Sequence, residues 1–397
     1  MQIAVLLMKI IRFFCCLIWV LAITSEALAR PNVTSFFDWS DLSPSIAPGT
    51  LLRQQPLALP PFIRAKAWRI LYMTRDYADR PILSSGMVIV SGYAPAQLSD
   101  RRIVSWAHPT TGIARKCAPS LRQSPTASIL GFNDLITGGY IIAATDYPGL
   151  GTAGPVGYLV GKGQGQAAID AVRAARQISE VGGGNRFALW GYSQGAHAAL
   201  FAATLAASYA PELQLVGAAA AAPPTDLADL LHETINSIEG RIFTSMTLKS
   251  WSLKYGVPID SLVDSSVADV IAAVGNTCVD DLGGKLDALA AQKPLKEKFL
   301  NYNPVNLPPW SGFLSANSIT KLPRGVPFFI AQGGVDEVVH KNVTQRFIQN
   351  QCAAGVSVDY LVMDRMSHST IAKASSAPAI AWINRRFASK AVTTSCK

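Results

Sequence analysis

Apolar and polar positions along this chain follow two rhythms. Short runs rich in β-branched and aromatic residues recur at 68–74, 86–91, 103–107 and 140–144, each flanked by Gly, Pro or Asp, which is the pattern of strands. The last two are unbroken apolar runs, as expected of strands buried on both faces. Residues 166–178 then shift to a helical period, with Ala168, Ala171, Val172, Ala175 and Ile178 on one side and Gly182, Gly183 and Gly184 closing the helix. A strand at 187–190, a nearly all-apolar helix at 196–207 and a strand at 213–220 follow, and Pro223 and Pro224 stop the last. Strands alternating with helices predict a mostly parallel central sheet covered on both faces, the α/β class.

After residue 222 the rhythm breaks. The next strand pattern lies at 326–331, so about 100 residues intervene where such a connection usually takes about 2 to 6. An insertion of that length must be a structure in its own right. It contains helical stretches at 259–274 and 282–291 and ends in an irregular run bearing Pro and aromatic residues at 306–313. It leaves the sheet just past a strand's carboxyl end, where open α/β sheets hold their ligands, so it reads as a cap over the site. The expected organisation is a core at 30–222 that begins with an extended arm at 30–66, a helical cap at 223–321, and a second part of the core at 322–397. That second part carries a helix at 343–351, a strand at 356–362 and a helix at 377–387.

The N-terminal segment adds a compartment. Lys9 and Arg12 precede an uncharged apolar run at 13–24, and Ala27-Leu28-Ala29 gives a small-residue cleavage pattern, which predicts a signal peptide at 1–29 and a secreted or periplasmic protein. The run falls short of the roughly 20 residues that a spanning helix needs. Cys15 and Cys16 leave with the signal, and Cys117, Cys278, Cys352 and Cys396 remain. An even number of cysteines in an exported protein predicts two disulfides, with three pairings open. No Cys or His spacing suits zinc, so neither metal nor cofactor is expected.

Composition narrows the class further. The 397 residues are 49% hydrophobic and 15% charged, which excludes a disordered or fibrous chain. Losing Lys9, Arg12 and Glu26 takes the formal charge from +9 to +8. The basic residues are scattered rather than gathered with aromatics, so nucleic acid is not an expected partner, nor is an obligate protein partner; transient contact with an anionic lipid surface fits the charge.

The chemistry centres on Gly191-Tyr192-Ser193-Gln194-Gly195, between a strand and a helix. A serine between two glycines at such a junction can be held in a strained turn that presents its hydroxyl, so Ser193 is the candidate nucleophile. A serine needs a base and a group that fixes the base. Of the five histidines, His197 lies on the nucleophile's own helix, His340 follows a candidate acid too closely, His232 opens the cap and His108 ends a strand on the nucleophile's other side. His368, in a loop after the last strand, remains as the base. Asp336, at the carboxyl end of the strand at 326–331, is preferred as the acid over Asp364 and Glu337, which gives the chain order Ser, Asp, His of α/β-hydrolases. The N–H of Gln194 is one oxyanion donor by position. For the second, the loops at 108–112 and 146–151 compete. Gly149-Leu150-Gly151-Thr152-Ala153-Gly154 matches the form of a dinucleotide fingerprint but is rejected, because no helix opens there and Asp170 falls within a helix.

Several segments together resemble the secretory lipase family, the group that includes the fungal lipase A type and many bacterial exported lipases. They are Pro48-Gly49-Thr50 with Leu51-Leu52-Arg53, the stretch 107–112 with Cys117-Ala118-Pro119-Ser120, the loop 146–151, Gly191 to Gly195, the turn 333–338, and His368. The resemblance implies an α/β-hydrolase core with an inserted helical lid and cofactor-free hydrolysis of carboxylic esters, acylglycerols above all. It carries the catalytic roles onto Ser193, Asp336 and His368, the oxyanion roles onto Asp146 and Gln194, and pairs Cys117 with Cys278 and Cys352 with Cys396. The family usually has His-Gly-Thr-Thr-Gly where this chain has Pro109; proline has no N–H, which favours the Asp146 loop for the second donor. Tyr192, Trp310 and Phe313 are the expected substrate contacts. The rival expectations are an esterase for short or bulky esters or an acyltransferase on the same scaffold, and a non-catalytic lipid-binding protein.

Overall fold

The computed structural model describes residues 36–93, 100–260, 262–280, 286–287, 289–290, 295 and 299–396. The expected signal segment 1–29 and most of the expected helix at 282–291 lie outside them. The chain divides into a unit Met1–Asp38, of which the described end carries an edge-to-face Phe36–Phe37 pair, and the unit Trp39–Lys397 that holds the fold.

Nine strands form one sheet: β1 (Leu51–Pro56), β2 (Ala65–Arg75), β3 (Pro81–Ser91), β4 (Arg101–Ala107), β5 (Ile141–Thr145), β6 (Gly183–Tyr192), β7 (Gln214–Ala221), β8 (Phe328–Gly333) and β9 (Val358–Met363), in the order β1-β2-β3-β5-β4-β6-β7-β8-β9. β1 to β3 pair antiparallel, β3 meets β5 antiparallel, and from β5 to β9 every pairing is parallel. Alternate residues of one strand feed opposite cores. Ile103 and Ala107 of β4 and Ile141 and Ala143 of β5 join one apolar cluster, while Val104, Trp106, Ile142 and Ala144 join the other. The first is covered by α2 (Gly161–Arg176) and α3 (Gln194–Tyr209), with α8 (Lys341–Ala353) at the far edge; the second by α1 (Phe132–Thr137) and α10 (Ser376–Phe387). This two-sided burial is what the unbroken apolar runs signified.

The inserted segment forms a third apolar cluster with Tyr158, Leu159 and Val160 of the core. It contributes α4 (Leu227–Thr234), α5 (Ile238–Tyr255), α6 (Ala268–Gly275) and α7 (Trp310–Ala316). α5 has no counterpart among the expected elements. Ser237 caps its first turn by accepting from the N–H of Gly240, and Gly256 ends it at φ 70°. Its buried side includes Thr244, Ser245 and Ser250 beside Ile242, Met246 and Trp251, so no apolar stripe marks it. The helix expected from 259 begins only at Ala268, because the Asp264 side chain caps the N–H of Ser266 and sets a short 3₁₀ turn first. The run expected to be irregular at 306–313 instead enters α7 at Trp310. Gly183 and Gly184 open β6 rather than close α2, which ends at Arg176. The arm pairs as β1 on the sheet's edge.

Both disulfides join the pairs that the resemblance implied, Cys117 to Cys278 and Cys352 to Cys396, with Cα separations of 5.3 and 5.2 Å. α9 (His368–Ala374) follows β9 and completes the carboxyl edge of the sheet.

Candidate active site

Ser193 stands between the last residue of β6 and the first of α3 with φ 54° and ψ −121°, a conformation that costs an L-residue free energy and persists only when its surroundings impose it. Its neighbours impose it. A Cβ on Gly191 would lie 2.1 Å from the Gly195 carbonyl oxygen, and one on Gly195 would lie 1.9 Å from that of Ala107, so the turn closes only with glycine at both positions. The Ser193 N–H donates to the Ala221 carbonyl of β7 at 2.9 Å, which fixes the turn to the sheet.

Two loops reach this hydroxyl from farther along the chain. Asp336 sits in the turn after β8, where Oδ1 accepts from the N–H groups of Val338 at 2.9 Å and Val339 at 2.8 Å. Its Oδ2 accepts from Gln332 Nε2 at 3.2 Å and from His368 Nδ1 at 2.9 Å. His368 opens α9 just after Ser367, whose side chain and that of Thr370 cap each other's backbone. Its Nε2 lies 2.9 Å from Ser193 Oγ. The alternative acids Asp364 and Glu337 are exposed. Tyr192 donates from its hydroxyl to the His368 carbonyl at 2.8 Å, with the two ring centroids 5.1 Å apart. Tyr192 thus braces His368, and it is absent from the cavity wall where a substrate contact was expected.

The other histidines are engaged elsewhere. His197 is fully buried and donates from Nε2 to the Asn317 carbonyl at 2.8 Å; burial pulls its pKa down to about 4. His340 lies 3.5 Å from Glu233, and His232 is exposed.

The oxyanion assignment divides. Gln194 occupies the first position of α3, where an N–H has no carbonyl of its own helix to meet, beside the serine oxygen. Asp146 does not share that role. Its N–H donates to the Ser85 carbonyl at 2.7 Å, and its carboxyl group accepts from Ser85 Oγ at 2.6 Å and from the Ser120 N–H at 2.9 Å. Asp146 therefore ties β3 to the Cys117-Ala118-Pro119-Ser120 segment, and burial raises its pKa while burial lowers that of the adjacent His108. The competing loop lies at the site instead: Thr110 lines the cavity together with Ser193 and Gln194. Pro109 costs that loop one N–H but leaves the one at Thr110. The loop is anchored from the inserted segment, because Val279 donates to the Thr111 carbonyl at 2.9 Å and Cys278 bonds Cys117.

Above Ser193 lies a cavity. Its wall is largely apolar and comes mostly from the inserted segment, including Leu227, Leu230, Trp251, Trp310 and Leu314. Trp310 is therefore where a substrate contact was expected, but Phe313 is not. Phe313 stacks on Tyr255 at 4.1 Å and meets Trp310 edge-on at 5.9 Å, supporting that wall from behind. Among the described residues no group of His, Cys, Asp and Glu could hold a metal ion.

The sheet order, the serine turn at the end of β6 and the loops that converge on it define an α/β-hydrolase. The chain belongs to the secretory lipase family, whose model matches residues 123–254 and 308–395. It is similar to Lipase A of Arthroderma benhamiae, with 25% identity over 96% of this chain and 84% of that one. Lipase A of Moesziomyces aphidis is 24% identical over 91% and 81%. The solved structure of Candida antarctica lipase A in its closed state shares the fold, with a TM-score of 0.77 and 19% identity over 93% of this chain and 89% of that one. The protein is accordingly a secreted carboxylic ester hydrolase of the lipase and esterase kind.

Proposed function

We propose that the protein is a lipase that cleaves acylglycerol esters through a Ser193-His368-Asp336 triad and an acyl-enzyme intermediate. Ser193 Oγ attacks the ester carbonyl while His368 Nε2 takes its proton, and the imidazolium then protonates the leaving alcohol. Asp336 holds Nδ1–H and so keeps the lone pair of Nε2 aimed at the serine. The developing oxyanion accepts from the Gln194 N–H and from the N–H of Thr110, each donor worth on the order of 100- to 1000-fold in rate. Water, activated by the same histidine, releases the acyl group. Residues 223–321 act as the cap, with the acyl chain in the apolar cavity beneath it; residues 1–29 are the cleaved export signal, and the destination is the periplasm or the medium. The basic surface supports transient contact with an anionic lipid interface.

The observation that carries the reading is the relay itself, with both hydrogen bonds at 2.9 Å, on the floor of an apolar cavity. A fluorophosphonate probe tests it. Folded protein should be labelled at Ser193 and lose turnover of a nitrophenyl ester in step. Labelling elsewhere, or turnover retained by Ser193→Ala, would sink the mechanism.

A further inference from the structure

The side chain of Gln194 is a buried amide that nothing pairs. The residue is 2% exposed and lines the cavity beside Ser193, yet neither Oε1 nor Nε2 makes a hydrogen bond. Among the described residues no other buried amide lacks partners on both atoms. Gln164 and Gln166 each leave Oε1 unpaired but donate through Nε2, to the Gly157 carbonyl and to Asp79, at 2.9 Å in both cases. A buried polar group without a partner costs its full desolvation, so a site that keeps two of them side by side is suited to a ligand that supplies both.

The chemistry of that ligand follows from the pair. An amide presents a donor and an acceptor together, whereas an ester group can only accept. A hydroxyl does both. Because Gln194 adjoins the nucleophile, its side chain reaches only the first few atoms on either side of the reacting carbonyl.

We propose that Gln194 is a specificity residue that recognises a free hydroxyl close to the scissile ester, so that the enzyme favours hydroxyl-bearing esters over fully masked ones. This rests on the ester-hydrolase reading above and narrows its substrate class. The hydroxyl has two possible sources, the alcohol half, as in a partial acylglycerol, and the acyl half, as in a hydroxyacyl ester.

The test uses the exported full chain and two substrate pairs of one acyl length. The first pair is a 1-monoacylglycerol and its 2,3-dimethyl ether; the second is a 2-hydroxyacyl nitrophenyl ester and its unsubstituted counterpart. The wild-type kcat/KM should favour the hydroxyl member of one pair by at least about tenfold, the worth of one well-made hydrogen bond in a dry site, and the pair that responds identifies the source. Gln194→Met, similar in length and unable to pair, should bring that ratio close to one. Wild-type ratios near one in both pairs would overturn the proposal even if the variant failed to fold, as would a ratio that survives in Gln194→Met. Loss of the underlying reading looks different: none of the four esters would turn over, Ser193 would resist the fluorophosphonate, and both inferences would fall together.

Discussion

Asp336 spends four accepted hydrogen bonds on staying still, two from backbone N–H groups and two from side chains. That arrangement makes Asp336→Asn a clean probe. The backbone bonds at Oδ1 survive, but an amide NH₂ facing Nδ1 favours the imidazole tautomer with its proton on Nε2, pointed at Ser193. The predicted result is a loss on the order of 10⁴ in kcat with folding intact, read from nitrophenyl ester kinetics beside a circular dichroism spectrum. A loss below tenfold would count against Asp336 as the orienting acid. His197 sets a prediction of another kind. Its folded pKa of about 4 lies below the usual histidine value near 6.5, so the unfolded chain binds more protons between those limits. Stability is therefore full above about pH 6.5 and is lost as pH falls toward 4, by up to about 3 kcal/mol from this residue. His197→Gln keeps a donor for the Asn317 carbonyl and should flatten that acid limb in urea unfolding at pH 7 and pH 5. An unchanged difference between the two pH values would assign the acid sensitivity elsewhere. Legibility at this scale has a clear limit. Ser193, Asp336 and His368 could be picked out because each has a distinctive side chain in a fixed chain order. The oxyanion partner could not, because that role belongs to a backbone N–H, and whether the N–H of Asp146 is already used depends on Ser85, a residue about 60 positions away whose pairing no local pattern reveals.

Among the elements, the strands that run through the middle of the sheet were easy to read, since burial on both faces leaves an unbroken apolar run. The edge strand β1 and the helix α5 were not. β1 pairs on one side only and carries Arg53, Gln54 and Gln55 in its middle, while α5 buries hydroxyls as well as apolar groups, so both lose the periodic signal that burial elsewhere writes into the sequence. The two disulfides have unequal jobs at this scale. Cys117–Cys278 joins the loop that carries Thr110 to the inserted segment, whereas Cys352–Cys396 clips the C-terminal tail along β9, where the Ser395 N–H reaches the Val358 carbonyl at 2.7 Å. Chain entropy values them similarly, at about 4 to 5 kcal/mol each. Activity should not. The pair Cys117→Ala and Cys278→Ala should lower kcat by about tenfold or more in the protein that remains folded, through a loosened Thr110 loop and its proposed oxyanion donor, while Cys352→Ala with Cys396→Ala should lower the midpoint of unfolding and leave kcat within about twofold. Equal effects of the two pairs on kcat would count against the proposed oxyanion role of the Thr110 loop.

For the whole molecule, the insertion and the sheet create something neither holds alone. The core supplies Ser193, Gln194 and Thr110 as a polar floor, and the inserted segment supplies most of the apolar wall, including Leu230, Trp310 and Leu314. The length of the interruption was visible in the sequence, but the identity of the wall was not, because Trp310 and Phe313 are three positions apart in one short helix and only packing decides which faces the cavity and which stacks on Tyr255. A cavity closed by such a wall should gauge acyl chains by filling. Each added methylene that finds apolar surface is worth about 0.8 kcal/mol, or roughly fourfold in kcat/KM, until the far wall is reached and the gain stops. Leu314→Trp, which brings that wall inward, should move the breakpoint of a nitrophenyl ester series to shorter chains and leave the shortest esters unaffected, since they never reach position 314. If the breakpoint stays where it was, the acyl chain runs somewhere other than beneath the insertion, and the insertion would then act on access to the site and not on the choice of chain.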